Sequence, residues 1–213
     1  MTPLLRWGSA LLKLEMFRPR GSVSDRARAP AGVPELSGNQ ALSFAHPGMQ
    51  LALRGTVTHE MRETLKIWGA RIVPRGTPWR PDPDAFARTL GTELLGQLSE
   101  APALLVGPAG ESEALVGALS ALRRRWPAIR GVALVAADTE LPDLPASADL
   151  PREIERVPVG RKDAAAARAR LGRELGLLAN HAGAAAAAYA YDRGGVALVT
   201  APGEREFSLE AQP

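Results

Sequence analysis

The chain has 213 residues, 46% of them hydrophobic and 23% charged, with a net charge of +3, which suits one two-lobed domain or two very small ones. The absence of cysteine excludes disulfides, thiolate zinc sites and cysteine nucleophiles, and none of the three histidines has metal-ligand spacing, so we expect no metal site. No apolar run approaches the roughly 18 residues that cross a bilayer, and Arg6, Lys13 and Glu15 interrupt the opening segment before a signal-peptide core can form. We therefore expect a cytoplasmic protein that does not bind membranes.

Arginine dominates the basic residues, because only Lys13, Lys66 and Lys162 are lysines. The densest cluster, at 123–125, ends a predicted helix, where cations complement the helix dipole. No stripe of basic and aromatic residues accompanies it, so we expect no nucleic-acid binding.

The first half of the chain contains two predicted helices and one short strand. Apolar residues recur at helical spacing between Thr58, a good N-cap, and Gly69, a good helix stop. A strand is predicted over 71–73 and a proline-rich surface loop over 76–83. The stripe that predicts the second helix consists of Phe86, Leu90, Leu94 and Leu98.

The second half alternates strands and helices, which predicts an α/β sheet with helices on its faces. Buried strands are predicted over 103–106, 132–136 and 196–200. Helices are predicted from Glu111 to Arg125, through Leu171, Leu175 and Leu178, and over the alanine run 184–188. The region 138–163, with its acidic and proline-containing segment at 138–158, has weak periodicity and is predicted to be a surface linker or lid.

Two polar turns could bind an anion. They are the turn at 18–26 and the loop at 37–40, and each places backbone N–H groups and short polar side chains at the start of a predicted helix. The same residues could instead serve only as helix caps.

Five fragments in order along the chain carry a family resemblance. They are TPLLRW (2–7), KLEMFRPRGSVSDRA (13–27), LSGNQA (36–41), WGARIV (68–73), and NHAGAAAAA (180–188) together with TAPGERE (200–206). They resemble the cysteine synthase branch of the fold-type II pyridoxal-phosphate enzymes, which also include tryptophan synthase beta and threonine synthase. The resemblance implies a reduced two-lobed α/β fold, with helices flanking mostly parallel sheets and lobes at 1–100 and 101–213.

The resemblance places Ser24 at the position of the lysine that carries the cofactor as a Schiff base. A hydroxyl cannot form an imine, so no catalytic residue is expected there. Lys13 on a predicted strand and Lys66 on a predicted helix are not evident replacements, and the position of Lys162 in the predicted linker is left open.

The other implied cofactor contacts also differ from the family pattern. Gly107, Gly110 and Ser112 are what remains of its phosphate loop, but Pro108 removes an N–H donor and Glu111 brings a negative charge. Pro202 stands where the family has a polar residue beside the pyridine nitrogen. We therefore expect no bound cofactor, or pyridoxal phosphate if the family function is retained.

The loop that resembles the family's carboxylate-binding loop consists of Ser37, Gly38, Asn39 and Gln40. These residues could still bind a small carboxylate, or they could persist only as a helix cap. Fifteen residues separate Ser24 from Asn39, fewer than in the family, which predicts a shortened amino-terminal lobe with apolar faces for a partner to cover.

Two functions follow from the resemblance. The first is a pseudoenzyme that binds a small amino-acid-like ligand or a partner subunit, as a homodimer or a heteromer with an active paralogue. The alternative is an enzyme: a pyridoxal-phosphate-dependent lyase or synthase of amino-acid metabolism with a relocated or absent lysine, or a different reaction that uses Ser24, Asp25 and His181.

Overall fold

A computed structural model describes residues 1–28, 30–54, 57, 59–137 and 150–201, with Asn39 and Glu60 described by their backbone alone. The strands in this part of the chain are β1 Leu4–Trp7, β2 Ala10–Leu14, β3 Pro34–Leu36, β4 Gln50–Leu53, β5 Arg71–Ile72, β6 Thr77–Pro78, β7 Leu104–Pro108, β8 Arg130–Ala136, β9 Ile154–Val159 and β10 Gly195–Val199. The α-helices are α1 Gly38–Phe44, α2 His59–Ile67, α3 Pro83–Phe86, α4 Thr92–Gln97, α5 Ser112–Arg125, α6 Arg161–Leu175 and α7 His181–Arg193.

The larger sheet has the strand order β1-β2-β10-β7-β8-β9. β1 is antiparallel to β2, and the remaining neighbours are parallel. The central strands β7 and β10 are buried at every position, as their continuous apolar sequences predict. Helices α6 and α7 cover one face and α5 covers the other, so the predicted α/β architecture is confirmed.

The smaller sheet has the order β5-β4-β3-β6 and is parallel throughout. Its core includes Leu36, Leu42, Leu51 and Leu65, contributed by β3, α1, β4 and α2. β1 and β2 join the larger sheet although they lie within the first hundred residues, so the two sheets do not follow a division at residue 100.

Most of the predicted elements are present. The helix predicted to end at Gly69 is α2, and Gly69 has a φ of 80°, a conformation that glycine adopts without strain. Phe86, Leu90, Leu94 and Leu98 are all buried, as predicted. The predicted helix is present as one run of helical backbone, in which a π turn at 87–91 joins α3 to α4.

Two predictions are wrong. The segment predicted as a linker includes β9, which pairs in parallel with β8 and forms an edge of the larger sheet. An edge strand has polar side chains such as Glu155 and Arg156, which hide its periodicity, whereas 138–149 lies outside the described residues. Leu178 is not helical: α6 ends at Leu175, Gly176 follows at a φ of 68°, and Leu178 is 53% exposed.

Within the described residues, no helix is both long and apolar enough to cross a membrane.

Candidate functional site

The turn at 18–26 leads away from β2 and brings Ser24 to the carboxyl end of the larger sheet. Ser22 caps a 3-10 turn at 23–26, because its Oγ accepts a hydrogen bond from the Ser24 amide at 3.1 Å. The amide of Ala201, just beyond β10, donates to the Gly21 carbonyl at 2.8 Å. Ser24 is 4% exposed, so its short side chain lies inside the protein.

The connection from β7 to α5 meets this turn. Ser22 Oγ donates to Glu111 Oε1 at 3.2 Å, and both residues are buried. The three residues predicted as a phosphate-loop remnant lie along this connection: Gly107 is in β7, Gly110 is in the 3-10 turn at 109–111, and Ser112 begins α5. A Cβ added at Gly107 would lie 3.2 Å from the Leu198 side chain, so the strand has little free space beside it.

The loop predicted to bind a carboxylate forms a capping box at the start of α1. Ser37 N donates to Gln40 Oε1 at 3.1 Å, and Gln40 N donates to Ser37 Oγ at 3.4 Å. Gly38 packs against the Met61 sulfur, and the Asn39 side chain lies outside the described part of the structure. Ser37 and Gln40 therefore bond to each other and to the helix end, while carboxylate binding by this loop stays a prediction.

A buried ion cluster lies beside the turn, and sequence reasoning missed it. The cluster consists of Lys13, Glu15, Arg26 and Glu93. Arg26 Nε lies 2.7 Å from Glu15 Oε2, Arg26 Nη1 lies 3.0 Å from Glu93 Oε2, and Lys13 forms an ion pair with Glu93. Thr2 donates to the cluster twice, from its amide to Glu93 Oε1 at 2.6 Å and from its hydroxyl to Glu15 Oε1 at 2.6 Å.

The cluster stabilises the charged forms of Glu93 and Arg26, whereas burial lowers the pKa of Lys13. Burial by itself would raise the pKa of Glu93, but hydrogen bonds from Arg26, Lys13 and the Thr2 amide outweigh it and lower the pKa to about 2. For Arg26, burial acts to lower the pKa, and hydrogen bonds to Glu15 and Glu93 raise it overall. The only sequence signal was the presence of Lys13, Glu15 and Arg26 in or near apolar segments, and Glu93 lies far along the chain.

The structure places all three lysines. Lys13 Nζ donates to the Thr2 carbonyl at 2.8 Å, to Gln97 Oε1 at 2.7 Å, and to Glu93, so each of its three N–H bonds has an acceptor. Lys66 has a 61% exposed side chain and pairs with Glu63, and Lys162 lies exposed on α6.

Asp25 and His181, which the sequence suggested for a different reaction, lie at a turn and at a helix start. Asp25 Oδ2 accepts from the Arg20 amide at 2.7 Å, and burial raises the pKa of Asp25. His181 is the first residue of α7, whose N-cap is Asn180.

Two pockets open along α5, and the smaller one is lined by Ser112, one of the predicted site residues. A cavity of about 470 Å³ is lined by apolar residues of α5 and β9 and by charged residues at its rim, among them Arg123, Arg124 and Glu153. A smaller one of about 260 Å³ lies beside Arg80 and Glu113. Neither is lined by Ser24 or Ser37, and the described residues contain no cluster of side chains suited to a metal ion.

No protein-family model and no curated protein matches the chain. Solved structures do match it over almost its whole length, and together they define the fold as that of the fold-type II pyridoxal-phosphate enzymes. The identities are below 20%, so this likeness establishes the fold and not the activity.

Three of the matching structures show the extent of the likeness. Cysteine synthase from Entamoeba histolytica has a TM-score of 0.75 at 18% identity, with 98% of this chain and 87% of that chain covered. The O-acetylserine-dependent cystathionine beta-synthase from Helicobacter pylori has a TM-score of 0.73 at 16% identity, covering 97% and 94%. An O-ureido-L-serine synthase has a TM-score of 0.73 at 19% identity, covering 100% and 93%.

The residues at the carboxyl end of the larger sheet do not fit pyridoxal phosphate. Ser24 has no amine, Pro108 has no N–H to donate, and the buried Glu111 side chain brings a carboxylate where a phosphate would need donors. The hydroxyl of Thr200, just after β10, is fully buried and has no hydrogen-bond partner among the described residues. Ser24 therefore offers no amine for the cofactor's aldehyde, and the Glu111 carboxylate would repel the cofactor's phosphate.

Proposed function

We propose that the chain is a cysteine-synthase-like pseudoenzyme of the cytoplasm. It keeps the fold of the pyridoxal-phosphate enzymes without their catalysis and binds a small amino-acid-like ligand or a partner subunit. The observation that carries the proposal is the placement of the lysines, because imine formation with the cofactor needs a free amine at the carboxyl end of the larger sheet.

Lys13 is the lysine closest in sequence to the turn at 18–26, and its surroundings argue against a catalytic role. An amine that attacks an aldehyde must have an accessible lone pair. Lys13 is fully buried, donates all three N–H bonds and compensates Glu93. Releasing it would leave a buried carboxylate without that partner, at a cost of about 3–5 kcal/mol.

A small carboxylate ligand is supported by the remaining polar groups near the smaller sheet. The capping box at 37–40 lies directly after the carboxyl end of β3 and forms the start of α1.

A partner subunit is supported by the exposed apolar side chains. Phe17 is 59% exposed and Ile67 is 81% exposed, beside the turn at 18–26 and at the end of α2. Side chains of this size favour burial against another surface. The partner is a second copy of this chain or an active paralogue of the same fold.

The alternative is an active pyridoxal-phosphate-dependent lyase or synthase whose amine has moved. It would require Lys13, Lys66 or Lys162 to reach the cleft, and the positions of all three favour other roles.

The decisive experiment is trapping with borohydride. Wild type and a Ser24→Lys variant are incubated with pyridoxal phosphate, reduced, and examined by absorbance and peptide mapping. We expect no stoichiometric adduct on any single lysine of the wild type. A Lys66→Arg/Lys162→Arg variant removes labelling of the surface amines, so a stoichiometric adduct on Lys13 in that variant would overturn the proposal.

Assembly is measured separately by sedimentation. A homodimer at micromolar concentration supports the second copy as partner, and Ile67→Glu should then shift the protein to monomer. If the protein sediments as a monomer at all concentrations, a second copy of this chain is excluded as the partner. The remaining candidate, an active paralogue, is then tested by co-purification.

A further inference from the structure

The connection from β7 to α5 has the physical properties of an anion-binding turn. β7 lies buried at the centre of the larger sheet, and a single 3-10 turn leads from its end into the 14-residue helix α5. The first turn of a helix presents N–H groups without intrahelical partners and the positive end of the dipole. Such a terminus favours a negatively charged group.

Glu111 places its own carboxylate at this turn. The residue is 6% exposed, and it makes no side-chain cap on α5 although it stands immediately before that helix. Its Oε1 instead accepts from Ser22 Oγ at 3.2 Å, across 89 residues of sequence. A buried carboxylate is costly unless it is compensated; here Ser22 supplies one hydrogen bond to Oε1, and the start of α5 supplies positive potential.

The partner of Glu111 belongs to the turn that carries Ser24. Ser22 is fully buried, and its Oγ also accepts from the Ser24 amide, so one hydroxyl connects Glu111 with the cap of the 23–26 turn. The Glu111 carboxylate therefore lies between the start of α5 and the turn at 18–26.

We propose that Glu111 is an internal anion that occupies the place of a phosphate group at the start of α5. It holds the turn at 18–26 against α5 through Ser22, and its charge excludes free phosphate or the phosphate of a cofactor. This inference rests on the proposed loss of cofactor catalysis, and it adds the residue that replaces the cofactor's anion.

The neighbouring Glu113 offers a matched control. It lies in the first turn of the same helix, but it is only partly buried and accepts a hydrogen bond from Ser112 Oγ at 3.2 Å. Removing Glu113 changes the charge near the helix start without emptying the place between α5 and the turn at 18–26.

The test uses inorganic phosphate as the probe and thermal unfolding as the readout, with sodium chloride at matched ionic strength as the reference. We expect the Tm of wild type and Glu113→Ala to be the same in both salts. Glu111→Ala should have a lower Tm in chloride and recover part of it in phosphate, with an apparent Kd at least about tenfold below that of the wild type. An equal phosphate response in all three proteins would overturn the inference.

A second substitution covers the case in which Glu111→Ala does not fold. Glu111→Ser removes the charge and most of the side-chain volume but keeps a hydroxyl as a polar group at the turn. Phosphate should stabilise Glu111→Ser and not the wild type, and the absence of this difference would contradict the inference.

Cofactor trapping separates this inference from the proposed function. In Ser24→Lys, the new amine condenses with the aldehyde of pyridoxal phosphate, releasing water, and borohydride reduces the imine. We expect at least about tenfold more adduct at position 24 when Glu111→Ala is added. Equal yields with and without Glu111→Ala overturn this inference alone, whereas a stoichiometric adduct on a wild-type lysine overturns the proposed function.

Discussion

Glu93 joins two cations in the buried ion cluster. Its two carboxylate oxygens contact Lys13 and Arg26, and its side chain is 11% exposed. Breaking a buried ion pair from one side leaves charge without compensation, which commonly costs about 3–5 kcal/mol. We therefore expect Glu93→Gln to lower the free energy of unfolding by about that amount, measured by urea denaturation at neutral pH.

An exposed pair provides the control for this substitution. Glu63 pairs with Lys66 on the surface of α2, so Glu63→Gln should leave the free energy of unfolding nearly unchanged. A Lys13→Met/Glu93→Leu variant removes both members of one pair while Arg26 keeps Glu15. If this double variant is less stable than Glu93→Gln, charge compensation is not what Glu93 contributes.

The same residue gives the protein a specific pH dependence. The folded pKa of Glu93 is about 2, below its ordinary value of 4.5, so its contribution to stability is fully present above pH 4.5 and is lost as the pH falls towards 2. The difference in unfolding free energy between wild type and Glu93→Gln should therefore shrink across this range. A difference that stays constant from about pH 5 to about pH 3 would contradict the assignment.

At the scale of elements, the π turn and α4 show that the space around a helical glycine decides whether a larger side chain fits there. A Cβ added at Gly91 would lie 2.4 Å from the Ala121 Cβ on α5, whereas one at the exposed Gly96 meets nothing within 4 Å. The close approach of the 87–91 turn to α5 requires the glycine at 91.

Two alanine substitutions test this difference within one segment. We expect Gly91→Ala to destabilise the protein by about 1–3 kcal/mol through overpacking. Gly96→Ala should stabilise it by about 0.5–1 kcal/mol, because alanine loses less backbone entropy in a helix. The measurement is the urea midpoint, and equal effects of the same sign would contradict the packing of α4 against α5.

At the scale of the whole molecule, a few residues join the part built on the larger sheet to the part built on the smaller one. Arg20 lies on the turn at 18–26, and its guanidinium stacks on Trp68 at 4.5 Å from the ring centroid. Trp68 packs on the core of the smaller sheet, and Ala27 packs against a core cluster of each sheet.

Loss of this stacking should reduce the cooperativity of unfolding. Arg125 stacks on Trp126 at the same distance of 4.5 Å but within the larger part, so it provides a control of equal chemistry. Each Arg→Ala change should cost about 0.5–1 kcal/mol. Only Arg20→Ala should also lower the urea m-value, because it lets the two parts unfold less cooperatively. Equal m-values for the two variants would show that Arg20 does not couple the parts.

Local pattern is sufficient to predict most of the elements. Continuous apolar runs predict β7, β8 and β10, and four-residue spacing predicts the buried face through Leu90 and Leu94, because burial on one face or both leaves a periodic record in the sequence. An edge strand leaves a weaker record, which is why the polar sequence of β9 resembles that of a linker.

The fold class follows from the sequence alone, through these periodic segments and the family resemblance, and so does the lack of an amine at Ser24. The packed structure was needed to show that Lys13 is held by Glu93, that Glu111 meets Ser22, and that Ser37 bonds to its own helix end. The first two contacts join residues 80 and 89 positions apart, and no local pattern encodes which distant polar groups meet when the sheets pack. The third is local, but the sequence is equally consistent with a cap and with a ligand site until the hydrogen bonds are placed.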